Sequence, residues 1–412
     1  MSVFEKVLPV KPVLDAAKID RLLTRGVDTV YPTKEKMREA LMSGERLRFY
    51  VGFDPTAPFL HIGHALQLRK LRELQELGHE VIWLLGSFTA MIGDPTDKLA
   101  ARKQLTRKDV LENAKTYKKQ ASKILRFKGE NAVKLMFNDK WLAKMSFEDV
   151  IALSSHFTVQ QMMERDMFEK RLEEQKPIYL HEFLYPLMQG YDSVAMDVDG
   201  ELGGSDQTFN MLAGRILLRE MKQKEKFVIA LSLLTNNEGK KMSKSEGGFI
   251  ALTDVPEEMF GKIMAMDDSM IVPYFTLATD VSDDEIEVIK KALADGMNPR
   301  DVKMRLAEMV TATYHSATKA KAAKKHFVQV FTQREMPDEI PTFSPTSSVM
   351  TVVDVMVATN LAPSKGEARR LIEQGGVKLG GEVVTDAMLS VYPRTDEVIM
   401  QKGKRFFVKL LP

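Results

Sequence analysis

The chain has 412 residues, of which 44% are apolar and 28% charged, with a formal net charge of +2 and no cysteine. This length exceeds one ordinary domain and is ample for a buried core, and the composition excludes a disordered or fibrous chain. The absence of cysteine rules out disulfides and thiolate metal sites, and the near-neutral charge confines any nucleic-acid surface to a local patch.

Residues 1–47 form an N-terminal segment whose stretch from Ile19 to Gly44 reads as helical, with Pro32 as a break. Its first twenty residues carry Glu5, Asp15 and Asp20 and lack the apolar core of a secretory leader. The longest apolar run, Val81 to Gly93, contains Ser87 and Thr89 and is too short to span a bilayer. No membrane association and a cytoplasmic location are therefore expected.

Residues 48–256 carry an α/β rhythm. Arg48–Phe53 is a β-rich run, and leucines at 68, 71, 74 and 77 then mark a helix closed by Gly78. Val81–Leu85, Lys134–Phe137 and Val194–Asp197 read as further strands between charged helical segments. Such alternation predicts a parallel sheet with helices on both faces, which binds ligands beyond the carboxyl ends of its strands. Tyr50–Asp54 and Gly93–Asp94 fall at such ends.

The segment 257–336 reads as all-helical with a basic end, and 337–349, with Pro337, Pro341 and Pro345, as a linker. Residues 350–412 read as a small α+β unit. There Ser364 can cap a helix, with Glu367 completing a capping box. Lys365, Arg369 and Arg370 line its side at a spacing suited to RNA phosphates, and a hairpin follows around Gly380-Gly381.

Two short strings carry the phosphate chemistry. His61-Ile62-Gly63-His64 opens the leucine-rich helix, where free N–H groups and the positive dipole end favour anions. Gly63 permits close approach, and His61, His64 and Thr56 can donate to phosphate oxygens. Lys241-Met-Ser-Lys244-Ser245 lies far along the chain between Gly239 and Gly247-Gly248, which should permit motion. Two ammonium groups there can neutralise charge on a departing pyrophosphate, one such donor being worth about 3 kcal/mol. Each string alone has a bland reading, a solvated loop or a helix start; their coincidence does not.

The pair is the signature of class I aminoacyl-tRNA synthetases, which this chain resembles. Tyr50-Val-Gly52-Phe-Asp54-Pro-Thr56, Gly93-Asp94-Pro95, Tyr185-Pro-Leu-Met-Gln189-Gly-Tyr-Asp192 and Gly203-Gly204-Ser-Asp206-Gln207 are similar to the bacterial-type tyrosyl branch over nearly the whole chain. The resemblance implies a Rossmann-type catalytic domain with a dimerisation insertion, a helical anticodon-recognition domain and a C-terminal RNA-binding domain. It implies tyrosine activation by ATP with Mg²⁺, without a dedicated protein metal site, then transfer to the 3′-terminal ribose of tRNA(Tyr) by a homodimer. Catalytic roles fall to Thr56, His61, His64, Lys241, Lys244 and Ser245. Gly52, Asp54, Gly63, Gly204, Asp206, Lys98 and Arg102 would bind ATP, and Tyr50, Asp94, Tyr185, Gln189, Asp192 and Gln207 would bind tyrosine. Tyr185, Gln189 and Asp192, spaced four and three apart, share one helix face. Val51 cannot supply the polar ribose contact that some relatives have there. Two rivals stay open at this point: a tryptophanyl enzyme, which shares the signature pair, and a non-catalytic RNA-binding descendant.

Overall fold

Continuous apolar runs build several strands of the first sheet, because a strand covered on both faces has no reason to alternate. Its six strands are β1 (Val27–Tyr31), β2 (Arg48–Phe53), β3 (Glu80–Leu85), β4 (Lys134–Phe137), β5 (Gly200–Gly204) and β6 (Phe227–Leu231), in the order β1-β6-β5-β2-β3-β4. Five run parallel, and the edge strand β1 is antiparallel to β6. The computed structural model describes residues 10–94, 105–234, 249–331, 340–344, 350–391, 396–403 and 406–412. It divides into two units, 1–317 and 318–412.

The sheet differs from expectation at four places, one of them β6 at Phe227–Leu231, which was not among the expected strands. The segment from Ile19 to Gly44 is helix, strand and helix: Ala16–Leu22, β1 and Lys34–Met42. β1 is edge-paired to β6, and that tertiary partner, rather than local pattern, makes it a strand. Val194–Met196 is not a strand but the last turn of the helix Leu184–Met196, which stops at Asp197 in the left-handed region (φ 51°). The strand lies just beyond, at Gly200–Gly204, where close packing favours glycine over β-branched residues: a Cβ on Gly200 would strike the Phe49 ring.

In the order of strands, β2, β3 and β4 step one way from the middle of the sheet, and β5 and β6 the other. The reversal lies between β2 and β5, and ligands of open α/β sheets sit outside such a switch point. β2 and β5 pair only at Phe49↔Gly200 and Tyr50↔Glu201.

Two long helices, Leu184–Met196 and Thr208–Lys222, cross closely through Gly190 and Gly214. A Cβ on Gly190 would lie 3.1 Å from the Gly214 nitrogen. The helical segment that follows is Pro256–Met264, Ile271–Ala278, Asp283–Ala294 and Pro299–Tyr314. Buried Arg25 ties it to the N-terminal segment by donating to the carbonyls of Thr276 (2.7 Å), Phe275 (3.1 Å) and Thr279 (3.1 Å).

The second unit holds a five-stranded sheet in the order β7 (Thr342–Phe343), β11 (Phe406–Leu410), β10 (Val398–Lys402), β8 (Val377–Leu379), β9 (Glu382–Val383). Val352, Val355, Met356, Ile372, Val377, Met400 and Val408 make its core. β8 and β9 form the expected hairpin. Part of the expected linker is structured: Thr342–Phe343 pairs in parallel with β11. The helix Lys365–Glu373 begins at Ser364, whose hydroxyl accepts from the Glu367 N–H at 3.3 Å. The Glu367 side chain turns instead to Arg370, 2.8 Å away, so the reciprocal half of the box is replaced by an ion pair.

His79, fully buried after the first long helix, accepts from the Leu47 N–H through Nδ1 at 3.3 Å and packs edge-on against Phe49. Burial, helped by the nearby Arg46 charge, lowers its pKa to about 4. A folded pKa below the unfolded value means that the unfolded chain binds the extra proton. Stability from this group is therefore full above about pH 6.5 and is lost as pH falls toward 4, by roughly 3 kcal/mol. Urea unfolding of His79→Gln should show a correspondingly flatter stability profile between pH 7 and 4.5; equal slopes in the two proteins would exclude His79 as the source.

Candidate active site

Asp54 leaves the carboxyl end of β2 into the crevice. Its two oxygens accept from Thr89 Oγ1 (2.7 Å) and the Tyr185 hydroxyl (3.0 Å). Gly86 makes room for this carboxylate, since a Cβ there would overlap it. Thr56 follows in a turn closed by its N–H to the Asp54 carbonyl at 2.8 Å, and Gly52 lies exposed just before.

The helix Ile62–Glu76 starts at His61, as the leucine spacing predicts. The rings of His61 and His64 lie 3.8 Å apart, and His64 Nδ1 accepts from the His61 N–H at 3.2 Å. That acceptor role makes Nε2 the protonated nitrogen of a neutral His64 ring. Gly63 sits under the His61 ring, which a Cβ would approach to 3.1 Å.

Lys241, Lys244 and Ser245 lie outside the described residues, as do Lys98 and Arg102. The segment following the lysine string is described, and it docks on the histidine string. Ile62 N–H donates to Ile250 O (2.9 Å), Leu252 N–H to Leu60 O (2.8 Å), and the Phe59 and Phe249 rings stack at 5.3 Å. Backbone bonds thus hold residues 250–252, which follow the lysine string in sequence, against the start of the histidine motif's helix.

On the other side of the crevice, Tyr185, Gln189 and Asp192 do line one helix. Asp192 is 2% exposed and accepts from Trp141 Nε1 (2.7 Å) and Asn138 Nδ2 (3.2 Å). Desolvation raises its pKa well above the ordinary range; the two donors oppose the shift, and Glu201 and Asp54 add to it. Tyr50 is fully buried with its hydroxyl 3.0 Å from Ser193 Oγ. Burial, then the charges of Glu201 and Asp192, keep its phenol protonated. Gln189 Nε2 donates to Glu201 Oε1 at 3.0 Å. Burial and the Asp54 and Asp94 charges likewise raise Tyr185.

Asp94 accepts from Gln207 Nε2 at 2.6 Å and has Arg165 at 3.9 Å. Gln207 in turn accepts from Asn210 at 2.9 Å. Gly204 ends β5, and Asp206 follows in the short 3₁₀ turn Ser205–Gln207. A Cβ on Gly204 would meet Asp206 and Leu233, so glycine there is a packing requirement.

The structure therefore gathers Tyr50, Asp54, Asp94, Tyr185, Gln189, Asp192 and Gln207 around the switch point. Thr89, Asn138, Trp141, Arg165, Ser193, Glu201 and Lys226 join them without having been read from the sequence. Asn138 directly follows β4, so the rule that sites lie at strand carboxyl ends would have found it. The others bond across the fold to residues remote in sequence and gave no local signal.

In the second unit, Lys365, Arg369 and Arg370 are exposed, while Ala368 and Ile372 of the same helix are buried. Lys365 pairs with Asp354 at 2.8 Å. Lys365 and the Thr351 hydroxyl hold that carboxyl down at about 2.

Residues 42–332 match the family model for class I tRNA synthetases (W and Y), and residues 332–410 match that for the tyrosine–tRNA ligase SYY-like C-terminal domain. The chain is 45% identical over 401 residues to a tyrosine–tRNA ligase of Moorella thermoacetica, covering 96% of each chain. It is 46% identical over 380 residues to one of Thermotoga maritima, covering 92% of this chain and 94% of the relative. Its fold is shared with the tyrosyl-tRNA synthetase of Archaeoglobus fulgidus crystallised with L-tyrosine, at a TM-score of 0.60 and 23% identity over 74% of this chain and 99% of that one. The chain belongs to the tyrosine–tRNA ligases, class I aminoacyl-tRNA synthetases whose family catalyses tyrosine activation and tRNA charging.

Proposed function

We propose that the crevice between β2 and β5 holds tyrosine on the Asp192 side and ATP on the His61 side. The observation that carries this reading is the buried Asp192 carboxylate. Two neutral donors occupy part of its acceptor capacity, and a carboxylate can accept about four hydrogen bonds. A substrate phenol can donate to Asp192 while Tyr50 meets the same oxygen. Asp94, Tyr185 and Gln189 would take the amino end, with Gln207 holding Asp94.

ATP would lie with its ribose near Gly204 and Asp206, beside Gly52 and Asp54, and its phosphates over Gly63 at the helix start. Magnesium enters as part of the nucleotide substrate. The tyrosine carboxylate is already a nucleophile, so it attacks the α-phosphorus and pyrophosphate leaves without a general base. The rate then depends on positioning and on charge stabilisation by His61, His64, Thr56 and the Lys241–Ser245 string, with Lys98 and Arg102 assigned to pyrophosphate. A ribose hydroxyl of the tRNA 3′ end next attacks the adenylate's carbonyl and AMP departs. The exposed faces of Lys365, Arg369 and Arg370 support a tRNA-phosphate contact for the tail, and 257–336 is assigned to the anticodon.

Phe147 (80% exposed), Val159 (69%), Leu172 (64%) and Leu180 (81%) all fall in the insertion between β4 and β5. This concentration of exposed apolar side chains supports a homodimer through that insertion. No helix among the described residues is long and apolar enough to cross a membrane. We assign the reaction to the cytoplasm, where its substrates are.

Three experiments test this reading. In amino-acid-dependent ATP–pyrophosphate exchange, Asp192→Asn should lower the preference for tyrosine over phenylalanine by about ten- to a hundredfold, the worth of one buried charged hydrogen bond. An unchanged ratio would remove Asp192 from the pocket, and exchange with tryptophan alone would overturn the substrate. Lys244→Ala should cut kcat for exchange by roughly a hundredfold with the tyrosine KM nearly unchanged; an unaffected rate would refute the phosphate role. Removing residues 332–412, a cut that keeps β7 with its sheet, should spare exchange and depress tRNA charging. Loss of both activities would count against the division of labour.

A further inference from the structure

Beneath the proposed tyrosine pocket lies an ion pair that the reaction does not use. Lys226, just before β6, is fully buried, and Glu201 is 2% exposed. Lys226 Nζ donates to Glu201 Oε2 and, at 2.8 Å, to Ser193 Oγ. Ser193 Oγ lies 3.0 Å from the Tyr50 hydroxyl, and Glu201 Oε1 accepts from Gln189 Nε2 at 3.0 Å. The pair thus ends on two side chains assigned to opposite ends of the substrate: Tyr50 at the phenol and Gln189 at the amino group.

Stability alone explains this poorly. Burying two charges costs most of what their attraction returns, and an apolar pair of equal volume often serves as well. Yet the surroundings are shaped to keep it. A Cβ on Gly214 would lie 2.5 Å from Lys226 Nζ and 2.8 Å from Ser193 Oγ. Tyr50 and Glu201 are also the last paired residues of the β2–β5 ladder, so they project side by side where the strands part. Burial lowers the Lys226 pKa, and Glu201 and then Asp192 oppose that shift.

We infer that Lys226 and Glu201 are positioning residues for tyrosine recognition, one hub that sets the Tyr50 hydroxyl through Ser193 and the Gln189 amide directly. The inference rests on the tyrosine-pocket reading above. It predicts that disturbing the hub moves tyrosine parameters and leaves ATP parameters alone, although no hub atom is assigned a contact with either substrate.

The test is pyrophosphate exchange by the full chain, with thermal melting of each variant. Lys226→Met should raise the tyrosine KM by about ten- to a hundredfold and lower the tyrosine-to-phenylalanine ratio by about tenfold, with the ATP KM within about twofold. Ser193→Ala, which cuts only the branch to Tyr50, should lower that ratio by about fivefold. Adding Glu201→Gln to Lys226→Met removes the stranded carboxylate and should restore at least about fivefold of the lost kcat/KM for tyrosine. A folded Lys226→Met protein with a lower Tm but unchanged tyrosine KM and ratio would make the pair merely structural and overturn the inference. Should Lys226→Met not fold, an unchanged ratio in Ser193→Ala overturns it equally. Tyr50→Phe separates the two readings. If it leaves the ratio unchanged, the pocket assignment itself fails. If it lowers the ratio while Ser193→Ala and Lys226→Met do not, only the hub fails.

Discussion

The β2–β5 ladder stops after the rung formed by Tyr50 and Glu201, and the strand order reverses at the same seam. Beyond that rung the two strands are no longer paired: Asp54, just past β2, enters the crevice, while Val51, Phe53 and Leu202 remain buried in the core. Tyr50, Asp192 and Glu201 are almost wholly buried there, and an unpaired polar group so placed costs about 1–3 kcal/mol. The groups are accordingly paired across elements. Asp54 joins Thr89 and Tyr185, Asp94 joins Gln207, and Asp192 joins Asn138 and Trp141. Each bond links segments far apart in sequence, so the polar lining also fixes the relative positions of β2, β5 and the Tyr185 helix.

The two halves of the crevice are held by different means. On the His61 side the main chain does the work: residues 60–62 and 250–252 bond to each other through backbone groups, and the helix start is set by the chain itself. On the Asp192 side, side chains from several separate segments lock together. This contrast suits the chemistry proposed for each half. Phosphate oxygens accept from any well-placed N–H or cation, whereas telling tyrosine from phenylalanine needs a donor and an acceptor fixed around one oxygen.

The same contrast decides what the sequence could disclose. The phosphate half is legible because its residues are contiguous: a helix start dictates where His61, Gly63 and His64 sit. The 3.6-residue period likewise put Tyr185, Gln189 and Asp192 on one face, and β2, β3 and β4 announced themselves as apolar runs. β1 and β5 did not. β1 is a strand because β6 lies beside it, and β5, Gly-Glu-Leu-Gly-Gly, has almost no strand propensity and forms where Phe49 and Met211 leave room only for glycine. Lys226 illustrates the rest. In the sequence it is one more lysine in Lys222-Gln-Lys-Glu-Lys226, indistinguishable from its exposed neighbours, and only the fold shows that this one is buried against Glu201.

Asp192 also shows how the pocket is prepared for its substrate. Its carboxylate is short of solvation: burial outweighs the two donors it has, and Glu201 and Asp54 add repulsion. In the proposed reading the tyrosine phenol supplies the missing donor, so part of the binding energy is relief of a stress already present in the free protein. Phenylalanine fills the same volume and relieves nothing, and it also displaces any water that could have done so. Discrimination then needs no steric filter against the smaller ring, which a pocket cannot exclude by size. It follows from holding a buried acceptor under-satisfied at one defined point, and that requires neighbours unable to turn and satisfy it themselves. Trp141 has already spent its one N–H on the carboxylate, Asn138 is held by Thr89 and the Phe88 N–H as well as by Asp192, and the Tyr50 hydroxyl is bonded to Ser193, so the geometry of the surrounding network sets the selectivity as much as the carboxylate does.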